Sequence, residues 1–143
     1  MRPYNFVTKK IIRTAVEIYF GKKNNLYLGD ISIERDWGWA PDYIEAMWLI
    51  LQNDYADDFV ISTGVLTSLE TFVENVFANL KLNWKDHTTI CPKLVRVSEL
   101  KKSFGNSKKA KSILGWQAQN KVSDVIDNML NIEIEEYQNR KKK

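Results

Sequence analysis

Apolar positions return at helical spacing in several stretches of the chain, and between them they alternate with polar residues or run briefly together. Over Phe6 to Phe20 the set Phe6, Ile11, Ile12, Ala15, Val16, Tyr19 and Phe20 predicts an amphipathic helix. Gly21 supplies its stop, with Lys22 and Lys23 alongside. Asn24-Asn25 reads as a turn, and Leu26 to Leu28 as a short strand closed by Gly29-Asp30. From Ile31 to Trp39 the alternation of Ile31 and Ile33 with Ser32 and Glu34 predicts extended chain. Pro41 suits the first turn of a second helix, where its missing N–H costs nothing, and Tyr43, Ile44, Met47, Trp48, Ile50 and Leu51 lie on that helix. Asp57 to Ser62 reads as a strand entering a turn at Thr63-Gly64. Thr67 with Glu70 has the spacing of a capping box for a third helix, whose core face is Leu69, Phe72, Val73, Val76, Phe77 and Leu80. Residues 84–105 read as loop, with a strand around Leu94 to Val97. Ser107 to Leu114 is a short basic helix ended by Gly115, and Val122, Val125, Ile126, Met129 and Leu130 form one face of a final helix running toward Tyr137. No repeat or linker interrupts the pattern, so the expectation is one compact unit of mixed α/β class.

Composition narrows the class. At 143 residues the chain suits one domain with a modest core, and 44% hydrophobic with 27% charged residues excludes a disordered or fibrous chain. A net charge of +3, with acids and bases interleaved, argues against nucleic acid as a partner. The run Arg140-Lys141-Lys142-Lys143 reads as a solvated, frayed helix end, where positive charge suits the helix dipole. Cys91 is the single cysteine, so no disulfide forms within the chain, and a reducing compartment fits. No run approaches the roughly 20 apolar residues of a membrane helix, and Met1-Arg2-Pro3-Tyr4-Asn5 has no apolar signal core. The expectation is a cytoplasmic protein with no membrane partner.

Candidate chemistry is mostly absent. A dinucleotide fingerprint needs closely spaced glycines so that the backbone can approach a pyrophosphate. Gly21, Gly29, Gly38, Gly64, Gly105 and Gly115 are too far apart to make one. Two Tyr-xxx-Lys spacings occur, Tyr19 with Lys23 and Tyr137 with Lys141, and both read as structural because a helix stop separates the first pair and a fraying tail holds the second. His87 is the sole histidine and reads as a surface residue in a polar loop, which leaves nothing for a histidine metal site or a Ser-His-Asp triad. Cys91 lacks an evident base and reads as an inert thiol. Asp57-Asp58 reads as a strand-entry turn rather than a pair of catalytic carboxylates.

Four segments carry a resemblance. They are Asn5-Phe6-Val7-Thr8-Lys9-Lys10-Ile11; Leu28-Gly29-Asp30 with Arg35-Asp36-Trp37-Gly38 and Asp42-Tyr43-Ile44-Glu45-Ala46-Met47-Trp48; Asp58-Phe59-Val60-Ile61-Ser62-Thr63-Gly64; and Arg96-Val97-Ser98-Glu99 with Lys109-Ala110-Lys111 and Leu114-Gly115-Trp116. In order and spacing they resemble the GDP-mannose 4,6-dehydratase family of extended short-chain dehydrogenases/reductases, over nearly the whole chain but only the later part of the family's length. The resemblance implies a fold: the C-terminal substrate-binding lobe of such an enzyme, lacking the N-terminal Rossmann half. Residues 1–143 would be one nucleotide-sugar-binding domain, with the NADP-binding domain absent and Asp58 to Ser62 forming a late strand of the missing sheet. The chain departs from the family at Val97, where proline is usual, at Lys101 and Asn106, where carboxylates usually follow, and at Pro3-Tyr4, where Gly-Glu is usual.

The resemblance also implies an activity: conversion of GDP-mannose to its 4-keto-6-deoxy product, with NADP serving as hydride carrier and the tyrosine, lysine and carboxylate of the chemistry lying upstream. No catalytic residue and no metal ligand is therefore expected here, no cofactor is expected to bind this chain alone, and turnover alone is not expected. The implied substrate contacts are Asn5, Val7, Lys10, Gly29, Arg35, Arg96 and Glu99, and Arg2 would lie near the cofactor phosphate. Arginine suits the diphosphate because its planar fork binds two oxygens at once. The expected partners are GDP-mannose or a related GDP-sugar, and a separate Rossmann half or a full-length relative. The alternatives are a stand-alone nucleotide-sugar-binding or regulatory module, or a fragment of a related NAD(P)-dependent sugar-nucleotide epimerase or reductase. Trp37 would wall the pocket, whereas Trp48 and Trp116 read as core.

Overall fold

The computed structural model describes residues 6–95 and 98–141. In chain order the elements are α1 (Val7–Tyr19), β1 (Leu26–Leu28), β2 (Glu34–Asp36), α2 (Ala40–Leu51), β3 (Leu66–Ser68), α3 (Leu69–Asn79), α4 (Trp84–His87), β4 (Thr88–Ile90), β5 (Lys102–Ser103), α5 (Lys108–Leu114) and α6 (Val122–Lys141), with a 3-10 turn at Pro92–Leu94. Two small sheets form. β1 and β4 pair in parallel, and β2 lies between antiparallel β3 and parallel β5.

Three helices make the main core. α1 contributes Ile11, Ile12, Ala15, Val16 and Ile18, α3 contributes Leu69, Phe72, Val73, Val76 and Phe77, and α6 contributes Ile126, Leu130 and Tyr137. Leu26 and Leu28 of β1 close one side. The strand alternates as its period of two requires, so Tyr27 faces outward while its neighbours are buried. A second, smaller cluster joins α2 to α5 through Ala46, Ala110 and Trp116, with Tyr43, Leu49, Phe59, Ile61 and Leu114 packed around it. Asp42 fastens this cluster. Its carboxylate accepts from the backbone N–H groups of Gln119 and Asn120 and from the Asn120 side chain, and its carbonyl accepts from the Trp116 indole. No helix among the described residues is long and apolar enough to cross a membrane.

Several expectations hold in detail. Gly21 and Gly115 both take positive φ at the ends of their helices, the conformation that a glycine stop supplies. The predicted core face of α3 is buried throughout, from Leu69 to Leu80.

Others are corrected. The cap of α3 is Ser68, which accepts from the Thr71 backbone N–H, while Thr67 lies one residue earlier in β3. Residues 84–105 are less loop-like than their polarity suggested, because α4, β4, the 3-10 turn and β5 all fall within them. The strand expected around Leu94 to Val97 begins instead with Leu94 closing the 3-10 turn, and Arg96 and Val97 lie outside the described residues. Asp57 to Ser62 joins neither sheet. Phe6 and Tyr19, expected on the apolar face of α1, are exposed at its two ends. Trp116 is core as expected, but Trp48 is exposed.

The basic C-terminal run is also not simply solvated. Arg140 donates to Glu133, and the Lys141 ammonium lies over the rings of Phe20 and Tyr137. Tyr137 itself is buried and stacks on Phe20, so α6 is core as far as Tyr137, whereas residues 138–141 are exposed and Lys142 and Lys143 lie outside the described residues.

Candidate functional site

The clearest constellation sits along β2 and the segment leading into β5. The Arg35 guanidinium is spread over three acceptors. One nitrogen donates to the carbonyls of Glu34 and Lys101, and the other donates to the Glu99 carboxylate. Parallel pairing of β2 with β5 places Arg35 beside Ser103 and sets this register. The guanidinium is thus fixed before any ligand arrives, which limits the side-chain entropy lost on binding. Both partners of the ion pair are about one-fifth exposed, so the fork is partly desolvated yet reachable.

A second bridge ties the turn after β1 to the same segment. Asp30 accepts from Lys101 and from the hydroxyl and backbone N–H of Ser32. The Lys101 bond, with those from Ser32, holds the Asp30 carboxyl well below the usual carboxylate range. Lys101 is a residue at which the chain departs from the family resemblance, and here it serves as the partner of Asp30. Gly29, just before, packs against the 3-10 turn so closely that an added Cβ would lie 2.6 Å from the Leu94 carbonyl oxygen. Only glycine lets the two backbones approach this way.

α1 contributes Lys10, whose ammonium donates to the Tyr27 carbonyl, two residues before Gly29. Lys10, Thr14, Lys23, Asn24, Asn25, Leu26 and Tyr27 line an open recess of about 440 Å³. Lys23 is already engaged by Glu17, whose carboxyl is pulled two ways. Burial raises it, but the bonds from Lys23 and Arg13 outweigh burial and leave it lowered. Val7 lies one turn before Lys10, with its side chain packed on the main core. A second hollow of about 350 Å³ lies between α1, the β2–α2 connection, α3 and α6, and its lining includes Thr8, Lys9, Asp36, Trp37, Tyr43 and Met129. Arg35 and Glu99 line neither of these two concavities.

Of the residues named from the sequence, the structure pairs Arg35 with Glu99, ties the turn after Gly29 to the same segment through Asp30 and Lys101, places Lys10 on the Tyr27 carbonyl and packs Val7 on the main core. Asn5, Arg2 and Arg96 lie outside the described residues. Three supporting residues were not singled out from the sequence. Asp36 accepts from the backbone and hydroxyl of Thr63 and from the Gly64 N–H, so it holds the turn after residue 62 against β2. Asp30 and Lys101 clamp their two segments together, and their separation of 71 residues gives no local signal. Lys9 is not part of a solvated face. It is 6% exposed and paired with Glu133, which is 1% exposed. The described residues hold no cluster of side chains suited to a metal ion. No closely spaced glycines open a helix among the described residues.

Comparison with known proteins fits this geometry. Among solved structures, RMD from Pseudomonas aeruginosa in complex with NADPH superposes with a TM-score of 0.84 at 17% identity, covering 94% of this chain and 44% of that one. The dTDP-glucose 4,6-dehydratase of Bacillus anthracis, in complex with NAD, superposes with a TM-score of 0.72 at 18% identity, covering 91% of this chain and 39% of that one. At these identities the likeness establishes the fold, that of an extended short-chain dehydrogenase/reductase over its C-terminal portion. Sequence relatives are nearer. GDP-mannose 4,6 dehydratase 2 of Arabidopsis thaliana is 40% identical over 134 residues, 94% of this chain and 36% of that protein. The human GDP-mannose 4,6 dehydratase is 36% identical over 151 residues, 94% of this chain and 41% of that protein. The chain thus spans about two-fifths of the length of the curated relatives it matches. With the family model for GDP-mannose 4,6 dehydratase matching residues 1–129, the chain belongs to the GDP-mannose 4,6 dehydratase family.

Proposed function

We propose that residues 1–143 act as the nucleotide-sugar-binding domain of a GDP-mannose 4,6-dehydratase, taking GDP-mannose or a closely related GDP-sugar. The observation that carries this reading is the Arg35–Glu99 ion pair, in which segments separated by 64 residues hold one guanidinium in a fixed orientation. Arg35 supplies the positive fork for a diphosphate, which requires phosphate oxygens to share or displace the bonds it now makes. Glu99 orients Arg35 and can accept from ribose hydroxyls. Gly29 and Val7 shape the base pocket through their backbones, and Lys10 adds positive charge. Asn5 and Arg96 join this set by family resemblance, and Arg2 is assigned on the same basis to the cofactor phosphate.

The chemistry belongs to a cofactor-binding half. NADP would supply hydride transfer there, and RMD, whose fold is similar over this stretch, is solved with NADPH. This chain's own part is to bind, orient and exclude water, so it turns over no substrate by itself.

Thermal unfolding of the 143-residue chain with GDP-mannose, UDP-glucose and dTDP-glucose tests the proposal. A ligand that binds only the folded state raises stability by about 2.7 kcal/mol at roughly 100 times its dissociation constant. The expected result is stabilisation by GDP-mannose alone, lost in Arg35→Ala. Equal shifts with all three nucleotides, or a shift that survives Arg35→Ala, would overturn the assignment. So would the absence of any shift both alone and with a cofactor-binding half present.

A further inference from the structure

The hollow of about 350 Å³ between α1, the β2–α2 connection, α3 and α6 is used by none of the groups assigned above to a nucleotide sugar. Lys10, Gly29, Arg35 and Glu99 are all absent from its lining. Its walls are aromatic and aliphatic. Trp37 and Trp39 of the connection, Tyr43 of α2, Phe72 of α3, and Val125 and Met129 of α6 meet there. Phe72 and Val125 are buried, while Ile132, also in the lining, is 42% exposed and brings the hollow to the surface. Its size and lining are those of a small-molecule site.

The walls are held in place before anything binds. The Trp37 and Phe72 rings lie 5.4 Å apart, tilted by 46°. A Cβ on Gly38 would run into the Tyr43 ring, so glycine at that position lets the ring lie directly on the backbone. The charged groups at the margin are already spent inside the protein. Lys9 is paired with Glu133, and Asp36 accepts from Thr63 and Gly64. A charged occupant would have to break one of these bonds. One donor is unspent: the indole N–H of Trp37 is buried and meets no acceptor. A buried tryptophan N–H ordinarily finds one. A water molecule held there would need about two to four polar partners, which walls of this kind do not offer.

We propose that this hollow is a second binding site, for one uncharged, planar, two-ring aromatic molecule that carries a hydrogen-bond acceptor. Volume sets the size. An apolar cavity of about 150 Å³ holds a single benzene ring, so a hollow of about 350 Å³ has room for two fused rings. The aromatic walls set the shape, since rings stack or meet edge-on at centroid separations of roughly 4.5–7 Å. The engaged charges of Lys9 and Asp36 set neutrality, and the Trp37 N–H sets the acceptor. Trp37, read from the sequence as a wall of the nucleotide pocket, is assigned here instead. The proposal does not depend on the GDP-sugar reading.

Nitrogen-15 NMR of the 143-residue chain, titrated with quinoline and with naphthalene, tests this. The two probes share a shape and are uncharged at neutral pH, but only quinoline carries an acceptor, its ring nitrogen. The Trp37 indole signal is assigned by its disappearance in Trp37→Phe. Both probes should bind saturably and one-to-one, quinoline about fivefold more tightly, and quinoline alone should move the Trp37 indole proton downfield. In Trp37→Phe that difference should vanish while naphthalene still binds, which shows that the site persists without its donor. Naphthalene-2-carboxylate should bind at least about tenfold more weakly than naphthalene, because its charge finds no free partner. Met129→Trp should fill the hollow and abolish binding. Ile132→Trp, at the exposed mouth, should obstruct binding with an unchanged melting temperature, which separates a blocked site from a lost fold. GDP-mannose should not displace quinoline, and Arg35→Ala should leave quinoline binding unchanged, so this site and the GDP-sugar reading fail independently. No saturable binding of either probe, equal affinities for the two, shifts centred on Arg35 rather than Trp37, or binding indifferent to both tryptophan variants would each overturn the proposal.

Discussion

The ion pair between Lys9 and Glu133 gives the sharpest stability test, because it joins the helix that carries Val7 and Lys10 to α6 from inside the protein. The Lys9 ammonium lies 2.5 Å from a Glu133 carboxylate oxygen, and the two side chains are 7 and 1% exposed. The other carboxylate oxygen accepts from Arg140, whose side chain is 45% exposed. Replacing Lys9 with methionine keeps the volume and removes the charge, leaving Glu133 buried with only the outer partner. Breaking a buried pair from one side typically costs 3–5 kcal/mol. Because Arg140 remains, about 3 kcal/mol is expected here, which for a chain of this size is a fall in Tm of roughly 6–12 °C. The double variant Lys9→Met with Glu133→Leu should recover most of the loss, since the pair's attraction mainly offsets its own desolvation and Arg140 can turn to water. Urea unfolding followed by tryptophan fluorescence and circular dichroism measures each variant at constant pH. A single variant that loses less than about 1 kcal/mol would refute the reasoning, as would a double variant no more stable than the single.

Ser68→Ala should cost about 1 kcal/mol by removing the acceptor for the Thr71 N–H, while Thr67→Ala should cost much less; equal losses in urea melts would restore Thr67 as the cap. Gly29→Ala should force the backbone at Leu94 to move and cost about 1–3 kcal/mol as an overpacked contact, with weakened GDP-mannose binding read by calorimetry. Asp30 has a folded-state pKa lowered by Lys101 and Ser32, so the stability it contributes is present above the ordinary carboxylate pKa and is lost as pH falls through the lowered value. In carbon-detected NMR titrations Asp30 should therefore titrate below the ordinary aspartate range in the parent chain and move up toward it in Lys101→Met, and an unchanged midpoint would show that the Lys101 bond is not what holds it down.

Periodicity served well wherever burial follows a single face. The α3 pattern from Leu69 to Leu80 is buried as predicted because a helix between two neighbours has one way to hide its apolar side. It misled at α2, whose apolar residues go nearly all round. There the sequence does not say which residues face this chain and which face another, so Trp48 and Trp116 looked alike although one is exposed and the other buried. Lys9 and Lys10 show the same limit for charge. Adjacent residues of identical type differ only in what stands opposite, and the Glu133 carboxylate lies 124 residues away.

The site was legible in part. Arg35, Glu99, Gly29 and Lys10 were named because their motif segments resemble a family, and no spacing rule would have paired Arg35 with a residue 64 positions on. Asp36 and Asp42 sat in those same motifs without an evident task. Their work is to accept from backbone donors across the fold, at Thr63 and Gly64 for one and at Gln119 and Asn120 for the other.

By itself the amino-acid sequence determined helices α1, α2, α3, α5 and α6, the stops at Gly21 and Gly115, the mixed class and the family, because these depend on local backbone preferences and on short motifs in order. Tertiary structure alone decided which lysine is buried, which tryptophan is core, where α3 is capped and which segments clamp Arg35. It also left residues 58–62 without a ladder, since hydrogen bonds between strands require a neighbour in space that no local pattern can supply.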